Sequence, residues 1–248
     1  MRWGRLVTVA GVLLVSIYAS NATRLRAMAA SRAPTISFSG HHWLVKSSAT
    51  AVGPGPNLFT AANTAVDAAG NLHLRIDTSA TGQWRSAEVI NTKSLGYGTY
   101  RWTVVSDASR LDPNVVLGLF TWSDLPAFNH REIDIEWARW GNAADPANAQ
   151  FVVQPFGTNG NLRRFTAPTG GPTVFEFNWA IDKVTYRVRQ GAAVVNSWKY
   201  TGSDIPVPGG ERTHMNLWLV DGKPPADGKP VDIVLSDFDF CTPSGVCG

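Results

Sequence analysis

Residues 131–137 place a carboxylate at every second position. The carboxylates belong to Glu132, Asp134 and Glu136, and apolar side chains occupy the alternate positions. Successive side chains of a β-strand point to opposite faces, so the three carboxylates are predicted to form one row on one face of a strand. Like charges that lie side by side destabilise a sheet. The row therefore indicates a chemical use, and the alternative is an acidic face that is simply solvated.

Paired carboxylates are the groups that carry out glycoside hydrolysis: one donates a proton to the leaving oxygen, and the other attacks the anomeric carbon or activates water. The Cα atoms of Glu132 and Glu136 would lie about 13 Å apart on a strand. A carboxyl separation of ~5–5.5 Å predicts retention of configuration and one of ~6.5–9.5 Å predicts inversion, and the residues leave both open. The charge of Asp134 is expected to raise the pKa of a neighbouring glutamate, and its hydrogen bond to orient the nucleophile.

The elements that position this row are predicted to be short strands. Residues 115–122 are almost wholly apolar, as expected for a strand buried on both faces, and no stretch has the 3.6-residue period of an amphipathic helix. Many short strands separated by turn residues indicate a β-sandwich or barrel. We therefore predict an all-β fold in one domain, residues 30–248, with mainly loops over 30–60. Strands are predicted at residues 36–38, 66–76 (a hairpin), 84–90, 96–104, 115–122, 132–137, 150–154, 175–179, 184–188, 193–195, 215–220 and 231–240.

Composition excludes several classes of protein. The chain has 248 residues, 44% of them hydrophobic and 17% charged, which excludes a disordered chain. Its net charge is +3, but no cluster of Lys and Arg indicates nucleic-acid binding. Ten Trp residues offer flat apolar faces that suit either sugar rings or a core. No protein partner is implied, and a monomer is expected.

The N-terminus is typical of an exported protein. A short basic start is followed by an apolar run over residues 6–19 and then by small residues. Residues 1–29 are interpreted as a signal peptide, with cleavage after Ala22 or Ala29, and an uncleaved membrane anchor is the alternative. Secretion, to the extracellular space or the periplasm, is expected.

The two cysteines, Cys241 and Cys247, lie at the C-terminus. In an oxidising compartment they are predicted to form a disulfide that closes a short loop. No cofactor or catalytic metal is predicted. A structural calcium ion at Asp237 and Asp239 is one possibility, and two solvated carboxylates are the other.

Several segments together resemble one enzyme family. Residues 132–136 are similar to the E-x-D-x-E signature of glycoside hydrolase family 16, which includes lichenases, laminarinases and xyloglucan transglycosylases. Residues 96–100, 118–122, 177–186 and 215–218 resemble further segments of that family in the same order. The resemblance covers roughly residues 60–240 and implies a concanavalin A-like β-jelly roll sandwich. No residue is inserted before Glu136, so the chain resembles the regular-strand group, without the β-bulge of laminarinase-like members.

The resemblance implies an endo-acting β-glucanase-like hydrolase with a retaining double-displacement mechanism. Glu132 would be the nucleophile, Glu136 the acid/base and Asp134 their helper. The alternatives are a transglycosylase of the same family and a non-catalytic carbohydrate-binding jelly roll. Val152 stands where lichenases tend to have Asn, which places a lichenase specificity in doubt.

Six further residues are predicted to bind the polysaccharide substrate. Trp218 would stack on a sugar or belong to the core, and Phe120 and Trp122 would line the cleft or the core. Glu88 would accept a sugar hydroxyl or form a surface salt bridge. His130 stands where lichenases commonly have Trp, and Gln154 ends the strand that follows the carboxylate row.

Overall fold

The computed structural model describes residues 33–248, so the predicted signal peptide lies outside the described residues. Sixteen strands and four short 3₁₀ turns make up this part of the chain. The strands are β1 (Thr35–Phe38), β2 (His41–Val45), β3 (Thr64–Val66), β4 (Leu72–Thr78), β5 (Trp84–Arg85), β6 (Ala87–Asn91), β7 (Gly98–Val104), β8 (Val115–Trp122), β9 (Ile133–Trp137), β10 (Ala149–Val153), β11 (Leu162–Phe165), β12 (Thr173–Ala180), β13 (Lys183–Gln190), β14 (Ala193–Tyr200), β15 (Arg212–Leu219) and β16 (Val231–Cys241). The 3₁₀ turns are Ala61–Asn63, Ala108–Arg110, Asn129–Arg131 and Val220–Gly222.

The strands form two antiparallel sheets. The first has the order β1-β2-β6-β15-β8-β9-β10-β11, and the second has the order β14-β13-β12-β7-β16-β4-β3, with β5 paired to β4. The two inner faces share one apolar core, shown for example by Trp137 of β9, whose ring lies 5.0 Å from that of Phe175 on β12. The prediction of an all-β jelly-roll sandwich is confirmed.

Strand β9 has the alternation that its sequence predicts. Ile133, Ile135 and Trp137 are buried in the core. Asp134 and Glu136 therefore point to the other face of the first sheet. The register is continuous on both sides, with Asp134 opposite Phe120 of β8 and Val152 of β10, and no bulge interrupts the strand. Asp134 and Glu136 are thus held on a regular strand that is paired along both edges, and Glu132 directly precedes this strand.

Two strands lie where the sequence did not predict them. Strand β2 falls within residues 30–60, which were expected to form mainly loops, and β11 follows β10 through a turn. Strand β2 contains only five residues, of which Trp43 and Val45 are buried, and β11 contains only four residues. Both segments are strands because neighbouring strands supply their hydrogen bonds, which a pattern along the chain does not reveal.

The two cysteines at the C-terminus are paired as the sequence predicts. Cys241 and Cys247 form a disulfide bond. Asp239 forms an ion pair with Arg101 at 2.9 Å, and Asp237 accepts a hydrogen bond from Ser39 at 2.9 Å. Both carboxylates already have protein partners.

Within residues 33–248, no helix has the length and apolar character needed to span a bilayer.

Candidate active site

The outer face of the first sheet carries a cleft of about 610 Å³ that contains the whole carboxylate row. Its floor is formed by side chains from four strands, β6, β15, β8 and β9, and its far wall by the segment that follows β2. The lining residues include Glu132, Asp134, Glu136, Phe120, Trp122, Arg212, His214, Asn216, Trp218, Glu88 and Lys46. Acidic, aromatic and basic groups therefore face one another across adjacent strands.

Amide side chains from β10 and its end hold the carboxylates. Gln154 donates to Asp134 Oδ2 at 3.1 Å, and Gln150 donates to Glu136 Oε2 at 2.6 Å. Gln150 is itself oriented, because its Oε1 accepts from Trp140 Nε1 at 3.1 Å and from Arg164 at 3.4 Å. Asp134 and Glu136 thus each have a fixed direction within the row.

Burial changes the proton affinity of all three groups. It raises the pKa of Glu132 to about 8; the charge of Glu136 acts in the same direction, and the hydrogen bond with Asp134 acts against it. Burial, followed by the charges of Glu132 and Glu136, raises the pKa of Asp134 well above its usual range. Burial raises the pKa of Glu136 to about 7, although the hydrogen bond from Gln150 and the charge of Arg164 lower it.

These shifts assign a proton to Asp134. The Glu132–Asp134 hydrogen bond lowers the pKa of Glu132 and raises that of Asp134, as expected when Asp134 keeps its proton and donates it to a Glu132 carboxylate. The expectation that a charged Asp134 raises the pKa of its neighbour is therefore wrong. Asp134 is only 3% exposed, and its own charge is the most costly of the three.

A strained turn leads directly into Glu132. Four consecutive non-glycine residues, from Phe128 to Arg131, have left-handed φ values between 50° and 61°. Each such residue costs roughly 1–2 kcal/mol. The turn closes through hydrogen bonds from the Arg131 amide to the Phe128 carbonyl (2.9 Å) and from the Glu132 amide to the Asn129 carbonyl (3.3 Å). The direction in which Glu132 leaves this turn is thus set by a conformation that its surroundings must maintain.

Arg131 anchors this turn. Its buried guanidinium donates from Nε to the Val207 carbonyl at 2.8 Å and from Nη1 to the Ala127 carbonyl at 3.3 Å. It packs so closely on Gly209 that a Cβ there would lie 2.6 Å from Nη2. On the other side, Thr121 of β8 donates to the Arg131 carbonyl at 2.8 Å.

Aromatic rings border the row at both ends. Trp122 stacks on His130 with ring centroids 4.1 Å apart, and His130 Nδ1 lies 2.9 Å from the Ser123 carbonyl. At the other end, Trp218 lies 5.9 Å from Trp140, whose ring is partly exposed. Such half-exposed rings offer flat apolar faces next to the carboxylates.

Glu88 lies on the cleft floor, but both of its carboxylate oxygens are occupied. Lys46 Nζ is 2.6 Å from Oε2, and His214 Nδ1 is 2.8 Å from Oε1. Burial raises the pKa of Glu88, but the hydrogen bond and charge of His214 and the charge of Lys46 outweigh it, so the net shift is downward. Glu88 is therefore an ionised, buried group in a network of three residues and not a surface salt bridge.

Most of the predicted site residues come together in this cleft. Glu132, Asp134, Glu136, Glu88, Phe120, Trp122 and Trp218 all line it. His130 and Gln154 contact lining residues, Trp122 and Asp134, instead of lining the cleft themselves. Sequence reasoning missed Lys46, Trp140, Gln150, Arg164 and His214, which are brought to the site by strand pairing. Alternation along β15 was the one available signal for His214, two residues from Asn216 and four from Trp218.

The described residues contain one group with the composition of a metal site, formed by Asp239, Cys241 and Cys247. Both cysteines are bonded to each other, so they offer no thiolate ligand. This group does not fit a metal in the oxidised protein.

Solved structures of glycoside hydrolases are similar to this chain. No protein-family model and no curated protein matches the chain. The Bacillus licheniformis β-glucanase is similar with a TM-score of 0.63 and 16% identity, over 85% of this chain and 98% of that one. A family 16 glycoside hydrolase endo-glucanase from Bacteroides ovatus has a TM-score of 0.61 and 13% identity, over 80% and 94% of the two chains.

A third similar structure comes from Mycobacterium tuberculosis and is described as an immunostimulatory antigen and pseudo β-1,3-glucanase. Its TM-score is 0.58 at 22% identity, over 78% of this chain and 88% of that chain. Identities this low establish the architecture and not the activity. The chain has the β-jelly-roll fold of the glycoside hydrolase family 16 structures.

Proposed function

We propose that this protein is an endo-acting, retaining hydrolase of β-linked glucans and a member of glycoside hydrolase family 16. The observation that carries the proposal is the row of three carboxyl groups formed by Glu132 and by Asp134 and Glu136 of the regular strand β9, buried at the floor of a cleft that also holds Trp122 and Trp218. Carboxyl groups with separate partners and raised pKa values are suited to the two carboxylate roles that glycoside hydrolysis needs.

The first step forms a covalent intermediate. Glu132, ionised and hydrogen-bonded by protonated Asp134, attacks the anomeric carbon and forms an ester bond to it. The bond from that carbon to the glycosidic oxygen breaks, and Glu136 transfers its proton to the leaving oxygen.

The second step releases the sugar. Glu136, now ionised, removes a proton from water as the water oxygen bonds to the anomeric carbon. The ester bond breaks and Glu132 leaves as a carboxylate. Two displacements at one carbon retain its configuration. Gln150 keeps the Glu136 carboxyl in one orientation for both proton transfers.

The proposal includes export of the mature protein. Residues 1–29 act as a signal peptide, and residues 30–248 form a monomeric catalytic domain. N-terminal sequencing of protein recovered from the culture medium is the measurement that tests this. A mature chain that begins at Ala30 or at Thr23 agrees with the proposal, whereas a chain retained with residues 1–22 in the membrane fraction contradicts it.

A glycan panel tests the activity. The mature protein is incubated with lichenan, laminarin, xyloglucan and agarose, and ¹H NMR follows the anomeric configuration of the first products. We expect β-configured reducing ends from a β-glucan. Glu132→Gln should reduce turnover by at least 10³-fold while the fold and glycan binding persist, because the variant lacks the attacking carboxylate. Undiminished hydrolysis by this variant contradicts the assignment.

Two rival functions have distinct outcomes in the same experiment. A transglycosylase gives longer oligosaccharides when an acceptor sugar is added. A non-catalytic carbohydrate-binding protein gives glycan binding with no product from the unchanged chain, and the similar structure from Mycobacterium tuberculosis is a pseudo β-1,3-glucanase.

A further inference from the structure

The outer face of the second sheet is basic over strands β14, β13, β12 and β7. Side chains such as Tyr186 and Phe177 are buried in the core, so the alternate positions of their strands point outward. We call the charged part of this surface the basic face. Its ionisable residues are Arg101, Glu176, Lys183, Arg187, Arg189 and Lys199.

This concentration of cations runs against the charge of the rest of the domain. Five arginines and no acidic residue precede residue 33, so residues 33–248 contain 17 basic and 19 acidic residues and have a formal charge of −2. Five cations and one carboxylate give the basic face a formal charge of +4. An anionic polymer is therefore attracted to this face in particular and not to the domain as a whole.

Glu176 gathers three guanidinium groups on this face. The carboxylate is 1% exposed, and it accepts hydrogen bonds from Arg101 Nε and from Arg187 Nη1, each at 3.0 Å. Arg189 Nη2 lies 3.8 Å from Glu176 Oε1, which is too far for a hydrogen bond. Three positive groups thus surround one negative group.

The uncompensated charge lies on the side of β13 and β14. On the opposite side, Asp239 of β16 forms an ion pair with Arg101 at 2.9 Å. Arg189 has a buried Nε without a hydrogen-bond partner among the described residues. Lys199 is exposed and stands opposite Thr185, not opposite an acidic residue. Arg189 and Lys199 are therefore the cations best placed to bind an external anion.

The other outward side chains of these four strands indicate the kind of anion. No aromatic side chain occupies an outward position on them, so the face lacks the rings that stack on single-stranded nucleic acid and those that anchor proteins at a membrane interface. Hydroxyl and amide groups lie between the cations instead. They belong to Thr99, Thr103, Asn178, Thr185 and Ser197. Guanidinium groups bind sulfate and carboxylate groups, and hydroxyls and amides bind sugar hydroxyls.

We propose that the basic face binds an acidic polysaccharide that carries carboxylate or sulfate groups. The face lies on the second sheet and the cleft on the first, so a chain bound here leaves the cleft open. The basic face thus holds the protein on an anionic polymer while the cleft acts on a separate glycan. This binding goes beyond the proposed function and does not depend on it.

The test is calorimetric binding of the mature protein to dextran sulfate, to polygalacturonate and to uncharged dextran. We expect binding to at least one of the two acidic polymers, and the comparison of these two distinguishes sulfate from carboxylate. Uncharged dextran should not bind. Affinity should fall as salt is added, because the bound polymer releases its counterions.

A double variant locates the binding. Arg189→Gln with Lys199→Gln removes two charges and leaves both hydrogen bonds to Glu176 in place, so the variant should fold. It should bind the acidic polymer roughly tenfold more weakly, the effect of losing two partly exposed ion pairs. Lys223→Gln with Lys229→Gln is the matched control, since it removes two exposed cations from the segment between β15 and β16. Circular dichroism checks the fold of both variants.

Three outcomes overturn the proposal. The first is that neither acidic polymer binds. The second is an equal affinity of the two double variants, because binding would then follow net charge and not this face. The third is stronger binding to anionic phospholipid vesicles or to single-stranded DNA than to either acidic polymer. A protein that binds through the basic face but cleaves no glucan contradicts the proposed function alone.

Discussion

The three carboxyl groups of Glu132, Asp134 and Glu136 lie close together on the buried floor of the cleft. A group that loses its proton there acquires a negative charge next to the other two carboxyl groups, which costs free energy. The structure limits this cost by giving each group a different partner: Asp134 for Glu132, Gln154 for Asp134, and Gln150 for Glu136. Burial raises the pKa of Glu132 to about 8 and that of Glu136 to about 7, so in the free protein Glu136 loses its proton before Glu132 does. The proposed reaction needs the form in which the charge lies on Glu132 and the proton on Glu136, which the bound substrate must favour.

The pH dependence of kcat/KM should depend on the positive charge of Arg164, which lies near Glu136. Arg164 lowers the pKa of Glu136, and Gln150 lies between the two side chains. Arg164→Gln removes this charge, so Glu136 keeps its proton to higher pH. The alkaline limb of kcat/KM should then move up by about half a unit to one unit. Arg164→Lys keeps the charge and should leave the limb in place. Equal profiles for the two variants would contradict this electrostatic role.

The same raised pKa has a consequence for stability. A folded-state pKa of about 7 for Glu136, above its ordinary 4.5, stabilises the fold below about pH 4.5, and this contribution is lost as pH rises through 7. Glu136→Gln has no proton to lose. Its free energy of unfolding should match that of the unchanged protein at pH 4 and exceed it by roughly 3 kcal/mol at pH 9.

Urea unfolding at the two pH values is the measurement. Asp182→Asn, which alters an exposed carboxylate, is the control. A Glu136→Gln protein that is less stable than the parent at pH 9 would show that the ionised Glu136 carboxylate does not destabilise the fold.

At the scale of elements, β9 and the left-handed turn before it have separate tasks. The strand fixes which faces the side chains occupy, and the turn fixes the direction from which Glu132 enters the cleft. Arg131 maintains the turn from a loop that is far away in the sequence, through the carbonyl of Val207 and the close approach of Gly209. Strain of several kcal/mol is thus concentrated beside the residue that would attack the sugar.

Gly209→Ala tests this task. Gly209 does not have a left-handed backbone, but a Cβ there would lie 2.6 Å from Arg131 Nη2 and would displace the guanidinium. We expect kcat to fall about tenfold with little change in KM, because an ångström-scale displacement of the attacking group affects the transition state more than binding. Gly157→Ala, where a Cβ would meet nothing within 4 Å, is the matched control. Equal kcat values for the two variants would exclude a positioning role.

The alternation of charged and apolar residues was enough to predict β9, because a period of two is a local property of the chain. It could not predict the turn, since four consecutive non-glycine residues rarely adopt left-handed φ. Their conformation is set by Thr121 and by the loop that contains Val207. The same limit applies to β2, whose hydrogen bonds come from β1 and β6.

At the scale of the molecule, the two sheets have different roles. The first sheet carries the described cleft on its outer face, and the second covers the inner face of the first with aromatic residues such as Trp102 and Phe177. The network of Glu88 shows why the cleft could be predicted only in part. Its partners Lys46 and His214 are 42 and 126 residues away in the sequence, and the strand order alone brings them together.

The disulfide lies in the second sheet, at the end of β16, and should therefore affect stability without affecting the reaction. It closes a loop between residues six apart, so its removal in Cys247→Ser should lower the free energy of unfolding by about 2 kcal/mol. The C-terminus is also held by the Gly248 amide, which donates to the Phe240 carbonyl at 3.1 Å, and this contact limits the loss. Glucan hydrolysis at 25 °C should be unchanged, and a reducing agent should reproduce both results in the unchanged chain. A fall in kcat/KM that accompanies the loss of the disulfide would mean that the sheets do not act independently and that β16 supports the carboxylate row through the core.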